Sequence, residues 1–154
     1  MAAHTAIAGF IGATYAISAT LPATYDAAGY GATTISYTTI GKVESFPEFG
    51  LERAINEFNP INGPTEYYVG TAKYNGGDMV VGDVPADAGQ VILKAAAESS
   101  GTHYSIKITY PDGEVHYLDV IVHAWKLSSA AEGNAMKRTA TIAVCKAPVV
   151  VAAA

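Results

Sequence analysis

Charged side chains are scarce in this chain of 154 residues, at 15% of the total, against about 25% in ordinary soluble domains. A monomer depends on surface charge to stay soluble. A surface this poor in it points to area covered by other copies of the chain, because obligate interfaces resemble a domain core cut in half. Cations are scarcer still: no Lys or Arg precedes Lys42, and Asp26 is the only charge among residues 1–41. The leading segment MAAHTAIAGFIGATYAISAT therefore lacks the positive stretch that opens a signal peptide. Gly9, Gly12 and several Thr and Ser residues interrupt any run long enough to span a membrane. A net charge of −5 excludes a surface built to grip nucleic acid, which would be basic. The single cysteine, Cys145, excludes an internal disulfide and gives no sign of an extracellular scaffold. Together these absences place the chain in the cytoplasm until it is assembled.

Catalytic and ligand-binding constellations are missing too. Four histidines are present: His4, His103, His116 and His123. His103 and His116 flank one hairpin and are placed to approach each other, but no Cys or carboxylate stands ready to complete a metal site. Cys145 has no local nucleophile motif around it and reads as a core thiol. Gly76-Gly77 and Gly29-x-Gly31 are too sparse to cradle a phosphate and read as turns. No enzyme, metal or cofactor is expected.

Half of the residues are hydrophobic, enough for a real core in one domain. Residues 1–11 read as an extended N-terminal arm and 12–19 as a strand. Residues 22–34 form a turn-rich loop punctuated by Pro22, Gly29 and Gly31, and 35–44 a strand rich in β-branched and aromatic residues. Residues 51–59 fit helix or strand. Residues 67–73 and 78–83 read as strands joined in a hairpin by Asn75-Gly76-Gly77. Residues 85–99 are the one clear helix: Asp83 or Asp87 caps it, Gly101 follows it, and Ala88, Val91, Ile92, Ala95 and Ala96 make its apolar stripe. A second hairpin joins 102–110 to 114–127 through Pro111-Asp112-Gly113. Its second strand is apolar on both parities, so both of its faces are covered. A last strand spans 134–145, and the uncharged VVVAAA that follows is an exposed apolar tail. The fold class is α+β, mainly β: an antiparallel sandwich or barrel with one helix packed on its side.

Charge is unevenly spread. Eight carboxylates (Glu44, Glu48, Glu52, Glu57, Glu66, Asp78, Asp83, Asp87) face only Arg53 and Lys73 between residues 44 and 87. Lys107, Lys126, Lys137, Arg138 and Lys146 sit towards the other end. Beyond an ordinary solvated surface, two uses suit this pattern. Opposite charges meet across a head-to-tail interface, or acidic groups, with Glu44, Glu48, Glu52 and Glu57 as candidates, line a channel in which DNA slides without sticking.

The run YDAAGYGATTISYTTIGKVESFPEFG, residues 25–50, resembles the N-terminal signature of the tail tube (major tail) proteins of long-tailed bacteriophages. Three of that family's sub-motifs occur here in order: Y-D-x-A-G-Y, Y-T-x-I-G-x-V-E-S and E-F-G. The signature covers part of the first third of the chain; the remainder matches by element order alone, without an appended immunoglobulin-like domain. The resemblance implies a strand over 51–59 and a virion structural protein that forms hexameric rings stacked into a hollow tube. DNA passes through that tube during ejection. Its partners would be copies of itself and the initiator or distal-tail, terminator and tape-measure proteins, with no membrane and no specific DNA binding. The loop over residues 21–34, with Tyr25, Asp26 and Tyr30, and the turn at Asn75 are the candidate contacts between rings, ordering on polymerisation. A tail terminator or secretion-tube relative shares this fold family. A small β-barrel holding an apolar ligand among Tyr104, Tyr110, Tyr117 and Trp125 is the reading from another class.

Overall fold

The computed structural model describes residues 9–128 and 132–152. His4 and most of the expected N-terminal arm lie outside them. In chain order the described elements are β1 (Thr14–Ser18), α1 (Ala27–Tyr30), β2 (Thr38–Thr39), β3 (Val43–Ser45), β4 (Glu52–Phe58), β5 (Glu66–Lys73), β6 (Gly76–Gly82), α2 (Ala88–Glu98), β7 (His103–Thr109), β8 (Val115–Leu127), β9 (Lys137–Val144) and β10 (Val149–Val151). Eight of the strands form one antiparallel sheet in the order β2-β1-β7-β8-β9-β6-β3, with β10 beside β8; β4 and β5 form a separate two-stranded ribbon. This is the α+β, mainly β architecture expected, but the sheet does not close into a barrel.

The seam left by that open sheet explains much of the sequence. Strands β2 and β3 stand at opposite ends of the sheet, yet only residues 40–42 join them. The sheet must therefore roll until its ends come close, and Tyr15 of β1 stacks on Phe46 after β3 at 4.9 Å. The single strand expected over 35–44 is split because Gly41 spends its backbone groups on α2. Its N–H donates to Asp87 Oδ2 at 3.1 Å, and its carbonyl accepts from Gln90 Nε2 at 3.0 Å. Asp87 also caps α2, accepting from the Gln90 N–H. Gln90 is buried and fully used: Nε2 donates to the Gly82 carbonyl as well, and Oε1 accepts from the Val84 N–H. Helix α2 is thus a bolt across the seam. Its buried stripe is Gly89, Gln90, Leu93 and Ala96, rotated from the expected one, and Val91 faces outward. The cause is closeness: a Cβ on Gly89 would collide with the backbone of Thr39 and Ile40.

The core lies inside the rolled sheet. Ile17, Met79, Val81, Ile106, Ile108, Leu118, Val120 and Ala140 are fully buried there with Leu93 of α2. The 102–127 hairpin forms as expected, in the register Ile106↔Leu118. The other face of β7–β8 is covered by the 20–37 segment. Tyr30 stacks on Tyr117 at 5.2 Å, Tyr37 lies 6.0 Å from Tyr117 and donates its hydroxyl to the Tyr30 carbonyl, and the Ser105 hydroxyl bonds the Thr20 carbonyl. Asp119 is buried beneath this flap, with Oδ1 2.8 Å from His103 Nδ1. The apolar C-terminal segment is not left as a free edge, because Val149–Val151 pairs with Val115–Tyr117 of β8.

Candidate assembly surface

The ribbon departs from every other pairing in the molecule. Strand β4 settles the helix-or-strand ambiguity of residues 51–59 as a strand, because it pairs with β5: Ile55 faces Val69, Asn56 Tyr68, Glu57 Tyr67 and Phe58 Glu66. The expected hairpin through Asn75-Gly76-Gly77 does not exist. Asn75 does take the left-handed turn conformation, at φ 56°. Yet β5 ends in the ribbon, while β6 runs beside β9 in the large sheet. Asn75-Gly76-Gly77 is a corner between two sheets. All seven residues of β4 are exposed, and in β5 only Gly70 and Ala72 are partly covered. Exposure reaches 69% at Ile55, 66% at Tyr67 and 57% at Phe58.

Around the root of the ribbon, three of the expected site residues come together. Glu48, Glu52 and Asn75 line a shallow recess of about 350 Å³, and Asn75 Nδ2 donates to Glu52 Oε2. Glu44 and Glu48 border an adjoining cleft of about 570 Å³ whose walls are Phe10, Tyr15, Phe46, Phe49 and Tyr110. Glu44 is also ion-paired with Lys137 at 2.8 Å. Glu57 lies on the ribbon itself. The four carboxylates are all exposed.

The loop residues divide. Tyr25 and Asp26 are exposed, whereas Tyr30 is interior to the subunit, 1% exposed, and unavailable to a neighbouring ring. The 21–34 loop is held by its own hydrogen bonds. Asp26 caps the single turn of α1, accepting from the Gly29 N–H at 2.7 Å and from the Thr24 hydroxyl. These bonds hold its carboxyl below the usual carboxylate range. Lys146 lies over the Tyr25 ring at 4.5 Å. Burial pushes the Tyr30 and Tyr37 phenols well above the usual tyrosine value.

Other candidates disperse. The register puts His103 opposite Ile121 and His116 opposite Ile108, so the two histidines sit at opposite ends of the hairpin. Each faces a carboxylate, His103 on Asp119 and His116 on Glu114 at 2.6 Å. Cys145 is exposed, not a core thiol, and partial burial with Asp119 nearby raises its pKa, which disfavours the thiolate. The four aromatics expected to line one pocket do not share one. Tyr104 is in the core, Tyr110 and Trp125 pack against its margin, and Tyr117 is on the opposite face under Tyr30. The residues missed by sequence reasoning are Gln90, Gly89 and Asp119, each a polar or small residue inside a pattern read for its apolar members.

No protein-family model matches the chain, and no curated protein is similar to it in sequence. Among solved structures, the chain is similar to one in the sixfold-symmetrised cryo-EM structure of the anti-feeding prophage baseplate. The TM-score is 0.58 at 11% identity, over 99% of this chain and 98% of that one. At that identity the likeness is one of fold, and it extends over nearly the whole of both chains.

Proposed function

We propose that this chain is a structural subunit of a phage tail tube, self-assembling into stacked hexameric rings that form the conduit for DNA ejection. Its role is architectural and not catalytic. The observation that carries the reading is the ribbon, whose large apolar side chains are exposed although a two-stranded ribbon is marginally stable alone in water. Such an element is built for burial in an assembly. Three further features support it: the signature over residues 25–50, the fold shared with a prophage baseplate chain, and the poverty of surface charge. The exposed carboxylates Glu44, Glu48, Glu52 and Glu57 would repel DNA from the wall or meet the basic side of the next subunit. The initiator, terminator and tape-measure proteins of the tail would be its other partners.

Electron microscopy of the concentrated protein tests this. Hollow tubes with a regular axial repeat are expected. Compact single particles at every concentration, with and without a tail initiator, would overturn it. A tail terminator or secretion-tube relative is the second reading, favoured by the baseplate origin of the similar fold; a terminator would form rings that do not stack, whereas a secretion-tube relative would stack. Deleting residues 22–34 is a poor test, since it strips Tyr30 from Tyr117 and uncovers buried Asp119.

A further inference from the structure

The aromatic cleft beside Glu44 and Glu48 is laid out by strand register. Tyr15 of β1 pairs with Ile108 of β7, and Ile108 pairs with His116 of β8. Paired residues of an antiparallel ladder share a face, so these three make one row across the inner face of the sheet. The 46–49 segment lies over that row. Phe46 stacks on Tyr15 at 4.9 Å, and Phe49 meets the His116 ring edge-to-face at 5.9 Å. Phe46 and Phe49 touch each other at 6.0 Å, nearly perpendicular. Tyr110 contacts His116 at 4.8 Å, and Phe10 contacts Tyr110 at 5.9 Å. The rings are thus joined in an unbroken series from Phe10 to Tyr15, and all but His116 line the cleft. The segment that carries two of them is anchored. A Cβ on Gly77 would come within 3.0 Å of the Pro47 side chain, and the Gly50 N–H donates to the Tyr74 carbonyl at 3.1 Å.

This lining selects by charge. The faces of aromatic rings carry negative potential, and two carboxylates join them, while among the described residues no Lys or Arg lines the cleft. Glu44 shares its charge with Lys137, but Glu48 has no ion-pair partner among the described residues. An anion would be repelled here. A neutral guest would strip water from Glu48 and return nothing. A metal ion needs several converging oxygens, and among the described residues no group of His, Cys, Asp or Glu is placed to supply them. A primary ammonium is compact and strongly hydrated, with three donors to satisfy; ring faces give it no full acceptor. The cation that suits ring faces spreads its charge over methyl groups and donates no hydrogen bond. The volume, about 570 Å³, is that of a small-molecule site.

The geometry points to a binding site for a quaternary ammonium group on a small free molecule, held against the rings of the cleft with Glu48 as its counter-charge. Every residue of the site belongs to one chain, so the inference stands apart from the assembly reading.

Calorimetric titration of the full chain with choline tests it. Saturable binding is expected, with a Kd of about 1 mM or tighter. The uncharged isostere of choline, in which carbon replaces the nitrogen, and the primary amine ethanolamine should each bind at least about tenfold more weakly. Glu48→Gln should weaken choline binding at least about threefold. Phe46→Leu keeps the apolar bulk, removes a ring face and should do the same; thermal melting confirms that both variants are folded. Glu57→Gln deletes the same charge on the ribbon, outside the cleft, and should leave binding unchanged. Absence of saturable choline binding would overturn the proposal. Equal affinity for the uncharged isostere would reduce the site to an apolar cleft, and equal affinity for ethanolamine would remove the quaternary preference; either result sinks it. So would equal losses in Glu48→Gln and Glu57→Gln, which would trace the effect to net charge. Protein that sediments with phosphatidylcholine vesicles yet ignores choline would give the site to a lipid headgroup and refute the free-molecule assignment.

Discussion

Two antiparallel pairs in this molecule, β7–β8 and β4–β5, look alike in sequence and differ in fate. HYSIKIT with VHYLDVIV, and ERAINEF with EYYVGTAK, each place large apolar residues on both parities. In β7–β8 one face meets the core through Ile106, Leu118 and Val120, and the other meets the flap through Tyr117 and Asp119. In β4–β5 the large apolar side chains of both faces stay exposed. A strand apolar on both faces announces that both will be covered. It does not announce whether the cover comes from the same chain or from another.

The sharpest way to break this comparison is to make one kind of substitution in both pairs. Leu118→Ala opens a cavity in the core and should cost about 2–5 kcal/mol of subunit stability. Ile55→Ala removes a side chain that touches solvent on the monomer, and should change subunit stability by about 0.5 kcal/mol or less. Denaturant unfolding at a concentration below assembly measures both. Equal losses would mean that the ribbon is packed against the body in solution, and the contrast would collapse.

The seam gives a smaller effect with a clear cause. Gly89→Ala favours helix by propensity alone, yet its Cβ would press on the Thr39 carbonyl and the Ile40 Cα. Those are backbone atoms and cannot swing away. The helix must lift, stretching the Asp87–Gly41 and Gln90–Gly41 bonds. A net loss of about 1–3 kcal/mol is expected, measured by thermal unfolding. A stabilised variant would show that α2 is not held tight across the seam.

Which parts of this were legible follows from the range of the signals. The 102–127 hairpin and α2 were legible because their patterns are local: a Pro-Asp-Gly turn between alternating strands, an Asp cap, a helical period. The Asn75 corner was misread because a turn signal fixes the local φ of the chain and says nothing about which sheet receives the next strand. The helix stripe was rotated because Gly89 and Gln90 face inward for reasons set by a segment 49 residues away in sequence, where Gly41 needs partners. The flap reads in the sequence as a turn-rich loop offering contacts to other rings, because its Ala and Gly residues hide the few that anchor it to its own subunit, chiefly Tyr30 and Tyr37. Of the expected site, Glu48, Glu52 and Asn75 were placed together by the fold, but the ribbon faces emerged only once register was known.

The flap itself provides the gentlest test, because it makes the cover of β7–β8 depend on pH. Burial disfavours the phenolate of Tyr30, Tyr37 and Tyr117, and raises all three above the ordinary tyrosine value; Tyr110, at the margin of the core, is pushed up to about 12. A group whose folded pKa is raised contributes stability that is complete below its unfolded pKa, about 10 for tyrosine. That stability is lost as the pH climbs from there through the folded value. Stability should therefore be level as the pH approaches 10 and fall above it, with tyrosinate absorbance rising as the flap lets go. Tyr30→Phe keeps the ring stacked on Tyr117 and deletes the ionisable hydroxyl, so it should flatten part of the alkaline fall while leaving neutral stability nearly unchanged. An unaltered alkaline slope in that variant would place the release elsewhere than the flap. Either outcome separates the inner cover of the β7–β8 pair, which has only apolar partners at Leu118, from the outer cover, which rests on a phenol that must stay protonated.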